Sequence, residues 1–221
     1  MISLEPLIWT SQQLIYPGNL LVLVCFLLYY SKRPIEMKWL GYYGVASSLF
    51  HFGQILSNSG PMKNTIGNAW TLTELVLFSM FYFLVIPLKG YRNWIVFSGI
   101  AYLLFYFMVF TFYPLNFYSY IRGGRDLTLM LYAILYFFYL LKKLPQENLL
   151  GLPMFWINVA VIFFFSSTFI VSLFRDYLVT VLKNDMSGFW AFRNFLRFVF
   201  CVILSYGGWL DLQLVRKMKM I

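Results

Sequence analysis

The run FWAFRNFLRFVFCVILSYGGWLD, residues 189–211, is apolar for long enough to cross a bilayer, yet it carries Arg193 and Arg197 one helical turn apart. A hydrocarbon core about 30 Å thick asks for about 20 apolar residues at about 1.5 Å of rise each. On an insertion scale, the eleven Leu, Ile, Phe and Val residues of this stretch return roughly −3 to −7 kcal/mol, against a cost of roughly +5 to +7 kcal/mol for two central arginines. Alone, the segment sits near break-even. Its arginines need partners on other helices, and what those partners are decides how the rest of the chain reads.

The surroundings are of the same kind. The 221 residues are 61% hydrophobic and only 11% charged, with a mean hydropathy of +0.73, against roughly 25% charged residues in an ordinary soluble domain. That excludes a water-soluble core and predicts an all-α, polytopic membrane protein. Seven spans follow from the apolar runs, at about 10–30, 37–58, 66–87, 93–113, 117–141, 153–174 and 188–211, forming one transmembrane domain over residues 1–221. Pro34, Pro61, Pro87, Pro114, Pro145 and Pro153 punctuate them. The opening MISLEPLIWTSQQLIYPGN has no Lys or Arg, so it lacks the basic start of a secretory signal and reads as retained.

Basic residues set the expected orientation. Ten of them fall on one side of the spans, from Lys32, Arg33 and Lys38 to Arg216, Lys217 and Lys219, against five at or near the other, Lys63, Arg122, Arg125, Arg175 and Lys183. The asymmetry places the N-terminus outside and the C-terminus in the cytoplasm of a bacterial-type cell membrane. It also accounts for the net charge of +9 without a nucleic-acid partner; the lipid bilayer is the expected surrounding.

Residues four apart share a helix face, so Arg193 and Arg197 look together into the bundle, about 8 and 13 Å below the outer end of their span. Other spans bring polar groups to matching depth: Glu74 at about 12 Å, His51 at about 10 Å and Gln54 at about 6 Å. IRGGRD, residues 121–126, adds Arg122, Arg125 and Asp126 to the same outer half. Glu74 and Asp126 are the acids expected to neutralise Arg125, Arg193 and Arg197. Ionisable groups inside a membrane are costly and point to function. Glu74, Arg193, Arg197, Arg125, Asp126, His51, Gln54 and Asn194 are therefore the candidate ligand-binding residues of an outward-facing pocket, one that grips a carboxylate or another anion with arginine forks. The competing reading is a packing lock, with the arginines snorkelling toward headgroups.

Several chemistries lack their residues. A single His excludes bis-His haem and multi-His zinc sites, and no phosphate-binding glycine loop is present. No cofactor, no metal and no catalytic residue set is expected. Cys25 and Cys201 read as small apolar residues within spans rather than a disulfide. FFFSSTF near residue 166 offers three hydroxyls that either bond back to their own helix or bridge to a neighbour, a packing feature. GYYGVASS, residues 41–48, offers a small-residue stripe for close helix approach, while Gly207 and Gly208 read as a bend in the last span.

NAWTLTELVLFSMFYF in the third span, LPMFWINVAVIFFFSSTF opening the sixth and an Arg-Asn pair in the seventh resemble a group of small bacterial seven-helix proteins. The matching residues are Glu74, Pro153, Phe155, Trp156, Asn158 and Asn194. The resemblance implies the seven-helix architecture and no defined activity; such proteins often occur beside sensor-kinase systems, which implies a sensory setting. The leading expectation is a receptor-like sensory or signalling-accessory protein that binds an anionic small molecule or lipid headgroup and acts on a cytoplasmic or membrane signalling partner. The alternatives are a transporter or oligomeric channel built on the same cluster, and a lipid-modifying enzyme using Glu74 and His51 as acid and base.

Overall fold

The computed structural model describes residues 5–57, 60–112, 118–143, 149–182 and 187–217, with side chains placed for 13–57, 62–112, 120–142, 149–174 and 188–217. Pro114, Pro145, Lys219 and the side chains of Arg175 and Lys183 lie outside the described residues. Seven α-helices and no strand are present among the described residues: α1 (Glu5–Leu27), α2 (Ile35–Leu56), α3 (Gly60–Val85), α4 (Lys89–Phe112), α5 (Tyr118–Lys143), α6 (Pro153–Leu182) and α7 (Ser187–Lys217). Five of them carry segments long and apolar enough to span a membrane: Met62–Val85, Lys89–Phe112, Tyr120–Lys142, Pro153–Phe174 and Gly188–Lys217. Among the described residues the protein is all-helical, with the helix lengths and apolarity of a membrane protein.

α2 has the length but not the apolarity, because Glu36, Lys38, His51 and Gln54 dilute it. In α1, Gln13–Leu27 is apolar but short. Helix ends also differ from the apolar runs. α3 starts at Gly60 rather than 66, since Pro61 falls in the first turn, where a missing N–H breaks no helical bond. α6 and α7 continue to Leu182 and Lys217, eight and six residues past the expected ends at 174 and 211, as helices do when they run beyond the hydrocarbon.

Packing closes six helices into a ring, α1–α2–α3–α5–α6–α7 and back to α1, with α4 outside against α3 and α5. α4 accordingly presents Trp94, Phe97, Leu104 and Phe112 at 65–71% exposure, an apolar face suited to lipid. The centre is aromatic. Phe78 meets Tyr43 at 4.9 Å, Phe165 at 5.9 Å and Phe200 at 6.4 Å between ring centroids, all four buried and tilted or edge-on, as ring quadrupoles prefer.

Two glycine sites set how closely helices approach. A Cβ on Gly44 would lie 3.2 Å from the Leu23 Cα, so this part of the GYYG stripe lets α2 touch the α1 backbone. On α7, a Cβ on Gly207 would lie 2.7 Å from Ile157 Cγ1 and 3.0 Å from the Pro153 carbonyl oxygen. α7 is helical through both glycines, and the pair lets it pack closely against α6 and, through Phe26 at 2.9 Å from a Cβ on Gly208, against α1. Ser166, Ser167 and Thr168 donate to the carbonyls of Phe163 and Phe164, the back-bonded one of the two arrangements open to them. Cys25 and Cys201 are free thiols.

Candidate functional site

A cavity of about 770 Å³ opens among the middle of α1, the C-terminal half of α2 and the N-terminal parts of α3, α5 and α7, with Phe164 of α6 in its wall. From Lys63 to Glu74 it follows about 16 Å of α3 at helical rise. Seven of the eight candidate residues line it: Glu74, Arg193, Arg197, Arg125, His51, Gln54 and Asn194. Arg193 and Arg197, four residues apart on α7, both face this cavity, and Glu74, His51 and Gln54 come to the same end of the bundle. Asp126 stands apart. It lies behind Arg125, fully buried, and reaches the cavity only through that neighbour.

The deepest polar layer is a chain of ion pairs. Arg197 Nη1 donates to Glu74 Oε1 at 2.8 Å, and Arg125 Nη1 donates to Glu74 Oε2 at 2.6 Å. Arg125 also grips Asp126 Oδ1 through Nε at 2.9 Å and Nη2 at 2.5 Å, while Ser172 donates to Asp126 Oδ2 at 3.0 Å. Two carboxylates thus face two guanidinium groups, each with several hydrogen bonds. A buried charge is tolerable on those terms and not otherwise. The Tyr43 hydroxyl adds a third bond to Glu74, at 3.1 Å.

Arg197 has a second kind of partner. Its guanidinium carbon lies 5.3–5.6 Å from the ring centroids of Tyr43, Trp70, Phe164 and Phe200, within range of cation–π attraction. Its Nη2 donates to Ser47, whose hydroxyl donates on to Asn19. With 12% of its side chain still exposed, Arg197 is the floor of the cavity and the end of the buried network at once. Arg193 is placed differently from the expected pairing with Glu74 or Asp126: it lies over the Trp190 ring at 5.9 Å, nearer the mouth. Arg122 and Lys63 also line the wall, Arg122 reaching across to Gly67, where a Cβ would stand 3.1 Å from its Nη2.

Sequence reasoning missed a second ion pair at the far end of the bundle. Arg33, counted above as a topological charge, is 3% exposed and pairs with Asp211 at 2.7 Å. Its guanidinium also donates to the carbonyls of Gly208 on α7 and of Cys25 and Leu28 at the end of α1. It thereby satisfies carbonyls that a helix end leaves orphaned, next to Tyr29, whose backbone is left-handed (φ 56°). The available signal was Asp211 itself, an acid at the end of an apolar run that needs a counter-ion. Asn158 ties three helices together: Tyr82 donates to its carbonyl at 2.7 Å, and its amide donates to the Ala133 carbonyl at 2.9 Å.

Compared with known protein families, with curated proteins and with solved structures, the chain matches none.

Proposed function

We propose that this protein is a receptor-like sensory or signalling-accessory module of the cell membrane, crossing seven times with its N-terminus outside, whose cavity binds an anionic solute or headgroup from the outer face. The observation that carries the reading is the charge of the cavity wall. Among the described residues it presents Lys63, Arg122, Arg125, Arg193 and Arg197 against the single carboxylate of Glu74. A packing lock explains Arg125 and Arg197, which Glu74 and Asp126 balance. It does not call for a cavity of about 770 Å³ with further basic groups toward its mouth, a size typical of ligand pockets.

α7 links the two ends of the bundle, carrying Arg193 and Arg197 in the cavity and Gly208 and Asp211 at the far lock. An anion competing with Glu74 for Arg197 would favour a different placement of α7, and that differential binding is what a sensor requires. The sensory setting implied by the family resemblance points the same way. Transport is the second reading. Against it stand the buried rings of Tyr43, Phe78, Phe165 and Phe200, an apolar layer that starts one helical turn from Glu74 on α3. For an acid–base enzyme, Glu74 is a poor base while three donors hold it.

The test is thermal unfolding of the purified protein in lipid nanodiscs with phosphate, sulfate, citrate and succinate, beside Arg193→Gln. Stabilisation by at least one anion, lost in the variant, supports the reading. No shift with any of them refutes it, and anion flux in proteoliposomes would establish transport instead.

A further inference from the structure

The walls of the cavity carry more than an anion needs. A bare carboxylate or phosphate is satisfied by donors alone, and the basic side chains supply those. Yet Gln13, Gln54 and Asn64 also face the space, and each carboxamide is an acceptor as much as a donor. A ligand with only acceptor atoms would leave these carboxamide oxygens without a partner. Hydroxyl groups both donate and accept, and match such a wall.

Two further features narrow the class. Tyr16, Trp70 and Trp190 line the same space, and rings of this kind offer an apolar face beside a polar handle, suited to the C–H surface of a polyol or sugar ring. The volume, about 770 Å³, is several times that of a single phosphate and leaves room for an organic moiety. Lys63, Arg122 and Arg193 bring three positive charges toward the mouth, which favours a phosphate monoester or diester over a lone carboxylate.

We infer that the ligand is a phosphorylated polyol or sugar, its phosphate held at the Lys63–Arg122–Arg193 side and its hydroxyls bonded to Gln13, Gln54 and Asn64. This rests on the anion-pocket reading above and adds the ligand class to it. The same chemistry occurs in free sugar phosphates and in lipids with a phosphoinositol headgroup.

Titration calorimetry on the full chain in phosphatidylcholine nanodiscs tests it, with glycerol 3-phosphate and glucose 6-phosphate set against inorganic phosphate and succinate. A second arm compares nanodiscs doped with phosphatidylinositol or with phosphatidic acid, read by thermal unfolding. The expected result is a preference of about tenfold or more for a hydroxyl-bearing phosphate over its hydroxyl-free counterpart, the worth of one or two hydrogen bonds. A preference among the free phosphates identifies a solute, and one confined to phosphatidylinositol identifies a lipid headgroup. Gln54→Met, and the exposed Asn64→Ala as a substitution with little risk to folding, should shrink the preference while leaving phosphate affinity in place. Equal binding of hydroxyl-bearing and hydroxyl-free anions overturns the inference and leaves the anion pocket standing. Absence of any anion binding removes both.

Discussion

Replacing Glu74 by Gln tests the buried network at its centre. The carboxylate is 1% exposed and takes three bonds, from Arg197 and Tyr43 on Oε1 and from Arg125 on Oε2. A carboxamide keeps the shape but offers one oxygen and one NH2, so whichever way it turns, one guanidinium faces a donor. The substitution also leaves Arg125 and Arg197 with only Asp126 for balance. Breaking a buried pair by removing one partner costs about 3–5 kcal/mol, which for a chain of this length lowers the unfolding temperature by on the order of 10 °C. Tryptophan fluorescence on heating in nanodiscs reads the loss. The double variant Glu74→Gln with Arg197→Gln removes both charges of one pair and leaves Arg125 with Asp126, so it should recover most of the stability, because buried pairs removed together are often close to neutral. A Glu74→Gln protein within about 0.5 kcal/mol of the parent, or a double variant whose loss equals the sum of the singles, would refute the reasoning.

Asp211→Ala strands the Arg33 guanidinium, which is fully buried as a side chain, and should cost about 3 kcal/mol or more by the same assay; removing Arg33 as well should restore part of it. Gly207→Ala forces a Cβ to within 2.7 Å of Ile157 Cγ1, and a destabilisation of about 1–3 kcal/mol is expected from denaturant titration. Asn158→Leu leaves the buried Tyr82 hydroxyl without its acceptor, and should cost about 1–3 kcal/mol, partly relieved by Tyr82→Phe. Arg193→Gln, at the half-buried rim of the cavity, should change thermal stability by less than about 0.5 kcal/mol without ligand, and its effect should show in anion titrations.

Legibility in the sequence followed the scarcity of each residue type. Arg193, Arg197 and Glu74 stand out because charges inside apolar runs are rare, and helix rise alone brings them to one depth. The cage around Arg197 was invisible, since Tyr43, Trp70, Phe164 and Phe200 are four aromatics in a chain that is 22% aromatic. Asp126 was legible as a counter-ion for Arg125, but not that it is held by its immediate neighbour in the chain and stays out of the cavity wall. Arg33 was hidden for the opposite reason. A basic residue beside Lys32 at a helix end looks like any topological charge, and only the fold shows its guanidinium turned inward to Asp211. Proline punctuation misplaced the start of α3, because Pro61 is as compatible with a first helical turn as with a loop. The polarity of α2 has its explanation in the cavity, which takes Ser47, His51 and Gln54 from that helix.

The most direct test of the account uses Asn64→Cys in a background with Cys25 and Cys201 replaced by Ala, labelled in intact cells with a membrane-impermeant maleimide. Asn64 is exposed and lines the cavity, so an outward-opening anion pocket predicts rapid labelling from outside, slowed by phosphate, by glucose 6-phosphate or by citrate. Labelling only after the cells are permeabilised would contradict the orientation, and outside labelling that no anion slows would contradict the pocket.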